Sequence, residues 1–209
     1  MRFVRLFLGL LTGMTGLSAF QLSQAEKTMD SLNQQIIEKF SEFEKTQDPD
    51  LIYQLLDSIE SSEANIPAGD AAARNLAVSR RLHFLAALDR SIDPAWNSKD
   101  VPPQGVPPPA QHGMVYSSGQ VDPETIPDPE VRAHYVQALK ANKDARRRYS
   151  VQLELRRIDD RAMRFAERFL ADRFGNSAQD RQVLEHLLAV SPVNETRKQR
   201  LRELVARSR

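Results

Sequence analysis

The chain has 209 residues, 41% hydrophobic and 27% charged, and contains no cysteine. This is ordinary globular usage; it bounds the chain to one domain or two small ones and excludes disulfides, thiol catalysis and cysteine-based metal sites. The formal net charge of +1 hides a division. Residues 26–100 carry 8 Lys and Arg against 14 Asp and Glu, whereas residues 129–209 carry 19 against 11, so an acidic part and a basic part of one chain are set to attract each other.

Residues 1–25 read as a secretory signal peptide. Arg2 and Arg5 form a positive start, Leu6 to Ala19 an apolar run, and Ser23-Gln24-Ala25 a small-residue cleavage site. The competing reading is an uncleaved membrane anchor, because Phe3–Leu22 is just long enough to span a bilayer. Gly9, Thr12, Gly13, Thr15 and Gly16 dilute that run and favour cleavage. The expected location is outside the cytoplasm, periplasmic or secreted, with the leader as the only membrane contact.

Residues 26–92 read as an acidic helical unit. Met29, Leu32, Ile36, Phe40 and Phe43 recur at three and four residues, with Ile37 widening the stripe, and the helix is expected to stop near Thr46-Gln47. Asp48-Pro49 starts a second helix with Leu51, Ile52, Leu55, Leu56 and Ile59 on its apolar face. After a break around Pro67 and Gly69, a third runs from about Ala71 to Ile92, with Leu76, Leu82, Leu85 and Leu88 as core candidates. Short connections make such helices antiparallel neighbours in a small bundle.

Residues 93–127 read as a proline-rich linker. Trp96 is expected to anchor it, and VPPQGVPPPAQHG favours an extended path. No two of these prolines stand three apart, so the spacing read by proline-binding modules is missing. The segment either separates two units or drapes over them through Trp96, Val115, Tyr116, Val121 and Ile126, and Asp122–Ile126 suits a single helical turn.

Residues 128–209 read as a basic helical unit built on one long helix. Asp128 is an N-cap, Pro129 suits the first helical position, and neither proline nor glycine recurs before Gly175, a C-cap candidate. A helix over Pro129–Phe174 would be about 70 Å long and needs partners along its length. Val131, Tyr135, Ala138, Asn142, Ala145 and Tyr149 form one apolar register, and Val151, Leu155, Ile158, Ala162, Phe165 and Phe169 another, rotated from it. The alternative is two helices broken near Ala141–Arg148; one continuous helix is preferred, its first half projecting beyond the main core. Two short helices follow. Ser177 with Asp180 caps the first, which buries Val183, Leu184, Leu187 and Leu188; the last starts at Ser191-Pro192, turns Val193, Leu201, Leu204 and Val205 inward, and ends in a basic, fraying tail that includes Arg197 and Lys198.

Arg157, Arg161, Arg164 and Arg168 line one helix face and form the candidate anion-binding site. The plainer reading is a solvated face held by the pairs Glu154–Arg157, Asp160–Arg164 and Arg168–Asp172. His83, His112, His134 and His186 stand in no metal-ligand spacing, no nucleophile elbow or phosphate loop is present, and Asp159 and Asp160 point apart on a helix. The fold class is therefore all-α: a small antiparallel bundle, one long helix and two short helices, joined by a proline-rich irregular segment. The expected function is an exported interaction or structural protein with a protein partner or self-association. No cofactor, metal, nucleic acid or small-molecule substrate is expected. An anionic-surface binder is the alternative, and a hydrolase with carboxylates converging from separate helices a third reading.

Overall fold

The computed structural model describes residues 19–63, 66, 70–107, 109, 121–174 and 178–207, with side chains from residue 33 onward and excluding those of 171–174. The signal-peptide reading falls mostly on residues 1–18, and the Val115, Tyr116, Gly175 and Ser177 readings also lie outside the described residues. The described chain is all-α: α1 (Ala19–Thr46), α2 (Asp50–Glu63), α3 (Ala71–Ser91), a 3-10 turn (Pro123–Thr125), α4 (Pro129–Phe174), α5 (Ala178–Val190) and α6 (Glu195–Arg207), with no strand among the described residues.

Local signals set most of the ends. Gln47 closes α1 in the left-handed region at φ 54°, its amide bonded to the Phe43 carbonyl at 2.7 Å. Asp48 Oδ1 accepts the Asp50 amide at 3.1 Å and opens α2. Asp70 accepts the Ala73 amide and caps α3, and Asp128 accepts the amides of Glu130 and Val131 at the head of α4. The last helix begins at Glu195 rather than at Pro192, because Asn194 Oδ1 caps it by accepting the Arg197 amide at 2.9 Å.

α3 is the central element. It packs on α1, α2, α4 and α5, and from Ala77 to Leu88 every residue but the half-buried His83 is buried. Apart from Ile126, the largest shut-in side chains come from five helices: Ile52, Leu56 and Ile59 on α2; Phe84, Leu85 and Leu88 on α3; Leu155, Ile158 and Leu170 on α4; Leu188 on α5 and Leu201 on α6. The buried side chains of α1 through α6 form one hydrophobic cluster, so the acidic and basic halves share it. Leu76 is only half-buried, and Ile37, expected to widen the α1 stripe, is 66% exposed because it sits one residue beyond the face that meets α3.

α4 is one helix along its whole expected range, and its two apolar registers have different partners. From Val151 onward it contributes Leu155, Ile158, Ala162, Met163, Ala166, Phe169 and Leu170 to the common core. Across residues 129–150 only Tyr135 is buried. This forward arm is about 33 Å long and is covered along one side by the proline-rich strap. Trp96 stacks on Tyr149 with ring centroids 5.4 Å apart, Tyr149 Oη donates to the Ser98 carbonyl, Arg146 donates to the Gln104 carbonyl, and Arg132 donates through Nε and Nη2 to the Ile126 carbonyl. Gln152 ties the base of the arm to the end of α3, donating to the Ser91 carbonyl and accepting the Asp93 amide.

Candidate functional site

The four arginines named from their spacing do not form one anion site. Arg157 donates to Glu154 Oε1 at 2.5 Å, and Arg161 reaches across to α2, pairing with Asp57 and Glu60 at 2.6 Å each. Tyr53 Oη donates to Glu154 Oε2 at 3.0 Å and completes a polar seam between α2 and α4. The hydrogen bonds Arg161 donates to Glu60 and then to Asp57 raise its pKa, whereas burial and the hydrogen bond to Glu154 raise that of Tyr53. Arg164 and Arg168 are exposed and make no ion pair among the described residues, so the expected Asp160–Arg164 pair does not form; the Asp172 side chain lies outside the described residues. Of the four arginines, Arg161 thus fastens α4 to α2, Arg157 pairs within α4, and Arg164 and Arg168 face solvent.

A different charged group lies inside the protein. Glu63 at the end of α2 is 3% exposed, and Arg80 and Arg81 on α3 are 5% and 4% exposed. Arg81 Nη2 donates to Glu63 Oε2, and the Arg81 guanidinium lies over the Phe165 ring, 3.5 Å from its centroid, with Phe169 at 5.1 Å. Stacking of this kind offsets part of the cost of taking a guanidinium out of water. The satisfaction is incomplete: Glu63 Oε1, Arg80 Nε and Arg81 Nε are buried without a hydrogen-bond partner among the described residues. Burial pushes Glu63 up to about 7 against the pull of Arg81 and Arg80, and burial lowers both arginines against the pull of Glu63. Sequence spacing missed all three residues. The signal available was α3 itself, an alanine- and leucine-rich helix with no continuous polar face into which an Arg-Arg pair is set.

A second, largely buried ion group joins the last helix to the middle of the chain. Arg197 on α6 pairs with Asp89 on α3 at 2.5 Å and Asp159 on α4 at 2.8 Å. Burial alone would lower the Arg197 pKa, but the two carboxylates outweigh it and raise it. Carboxylates from separate helices do converge here, on a guanidinium that occupies the space between them. Lys198, also expected in a frayed basic tail, is buried and bonds to Glu195 at 2.9 Å.

A groove of about 710 Å3 lies between the strap and the α4 arm. Val106, Val121 and Leu139 give it apolar walls, Lys143, Arg146 and Arg147 stand on the helix side, and Asp122 is its one carboxylate among the described residues. Among the described residues no group of three or more His, Cys, Asp or Glu is placed to hold a metal ion, and no helix is long and apolar enough to cross a membrane. No protein-family model, curated protein or solved structure matches this chain.

Proposed function

We propose that this chain is an exported α-helical interaction protein that uses α4 as its spine and the forward half of α4 as its contact surface. The observation that carries the reading is the uneven burial of α4. The helix joins the common core only from Val151 on, yet it continues forward for residues 129–150 with Tyr135 alone buried and Val136 47% exposed. A helix that runs past its own core needs another reason for its length, and a surface for a second molecule supplies one. The leader composition supports export.

The test has two measurements. Intact mass of the chain recovered outside the cytoplasm is expected to correspond to loss of residues 1–25; full-length chain retained in the cytoplasm overturns export. Light scattering during size exclusion on residues 26–209 is expected to give a multiple of the chain mass if the arm pairs with a second copy, or a single-chain mass that rises on adding a partner. A chain that stays single and gains no partner from the exported fraction overturns the interaction role.

An anionic-surface binder is the second reading, favoured by the exposed Arg164 and Arg168 and by Lys140 and Lys143 on the arm, none of which has an ion-pair partner among the described residues. A salt titration separates the two, since binding driven by charge falls steeply as ionic strength rises and apolar docking persists.

A further inference from the structure

We propose that the groove between the strap and α4 holds an extended acidic peptide of a partner protein, with Lys143, Arg146 and Arg147 receiving its carboxylates and Val106, Val121 and Leu139 meeting its apolar side chains. The proposal rests on the interaction role above and names the partner's chemistry.

The charges are unbalanced in a way the chain does not correct from its own connection. Lys143, Arg146 and Arg147 stand at i, i+3 and i+4 and share one side of the helix, against the single carboxylate of Asp122. Arg146 gives Nη1 to the Gln104 carbonyl at 3.0 Å and Arg147 gives Nη2 to the Thr46 carbonyl at 2.8 Å. Those neutral acceptors orient the two guanidinium groups without cancelling their charge. Lys143 is exposed and has no ion pair or hydrogen bond among the described residues. Residues 107–120 contain no Asp or Glu.

The remaining features select a peptide. Val106, Val121 and Leu139 offer apolar contact beside the cations. An extended chain alternates its side chains, so one strand can turn carboxylates to α4 and apolar groups to those walls. A phosphate ion or lipid headgroup matches the cations but leaves the apolar walls unused. The groove volume lies within the range of ligand pockets.

The experiment is fluorescence anisotropy of the full-length chain with a fluorescein-labelled peptide that alternates Glu and Val, compared with the same peptide carrying Gln for Glu. Saturable binding of the Glu peptide is expected, weakening as salt is raised. The double change Lys143→Glu with Arg146→Glu is expected to weaken it by about tenfold or more, the increment that follows from losing about 1.4 kcal/mol of interaction. Lys143→Gln, which removes no bond seen in the structure, is expected to weaken it by a smaller factor in the same direction. Arg90→Glu, exposed on α3 and away from the groove, is expected to leave it unchanged, and thermal melting of each variant checks that the fold is kept. Equal binding of the Gln peptide, or indifference to both Lys143 variants, overturns the proposal. So does competition by phosphatidylglycerol vesicles or inorganic phosphate that matches the Glu peptide, which would assign the cations to phosphate. A groove that ignores the peptide in a chain that still assembles by light scattering removes this site and leaves the interaction role standing; failure of both measurements removes the two together.

Discussion

Arg81 donates to Glu63 from the centre of α3 to the last turn of α2, and the aromatic ring of Phe165 closes over the guanidinium from α4. The pair therefore joins three helices at a point where the surrounding contacts are apolar. A buried ion pair is a weak source of net stability, because desolvation offsets its attraction, but removal of one partner leaves a charge with nothing to balance it. Arg81→Met is accordingly expected to lower unfolding stability at pH 8 by about 3–5 kcal/mol. The double change Arg81→Met with Glu63→Leu is expected to recover most of that loss. Urea denaturation of the two variants checks this, and a double variant no more stable than Arg81→Met would show that the pair is not the source.

The same carboxylate makes stability depend on pH. Glu63 titrates at about 7 in the fold against an ordinary 4.5, so the folded chain keeps a proton that the unfolded chain has released across that window. The stabilisation is full below the ordinary value and is lost as pH rises through the folded one. Its size is about 3 kcal/mol at most, from the width of the shift. Glu63→Gln is expected to flatten this component, so the difference in unfolding free energy between the two proteins should change between pH 4 and pH 8. A constant difference across that range would show that Glu63 does not titrate there.

Arg197 holds the last helix to the middle of the chain through Asp89 and Asp159. Arg197→Ala leaves two largely buried carboxylates facing each other without a cation, and is expected to cost about 2–3 kcal/mol. Hydrogen exchange should locate the effect: α6 amides are expected to lose protection first, while those of α2 and α3 keep theirs. Uniform loss across all helices would mean that the clamp belongs to the global folding unit.

Gln47 sits in a left-handed conformation that suits glycine, at φ 54°. Gln47→Gly is expected to raise stability by about 1 kcal/mol by relieving that strain at the end of α1. The gain is partly offset because the Gln47 side chain donates to the Glu44 carbonyl at 3.2 Å. A rise in melting temperature checks the prediction, and a fall would show that the side-chain bond outweighs the strain.

Helices were legible in the sequence wherever the chain marks its own ends. Proline at 129 with an aspartate before it, and the long interval free of proline and glycine after it, fixed α4 to the residue, and the break around Pro67 and Gly69 put the start of α3 at Ala71. Burial was legible where one face of a helix is covered: Ile36, Phe40 and Phe43 on α1, Leu184 and Leu188 on α5, and Leu155, Ile158 and Ala162 on α4. On α3 it was legible only in part: Leu82, Leu85 and Leu88 are buried as expected, but so are their neighbours. A helix surrounded by α1, α2, α4 and α5 shows no apolar stripe, and nothing in local spacing marks Arg80 and Arg81 as inside. The arginine series on α4 was legible as a face but not as a site. Its meaning depends on Asp57 and Glu60, about a hundred positions away in sequence, and nothing in local spacing links them.

The continuity of α4 gives the protein a lever. Its base is gripped by α2, α3 and α6, and its forward end stands about 33 Å ahead of that grip. A tilt of about ten degrees at the base carries the tip roughly 6 Å, by the geometry of a rigid rod of that length. Traction applied near Pro129 therefore reaches the seam around Arg161 and Tyr53 magnified in torque, and the Trp96–Tyr149 contact is the brace that resists it.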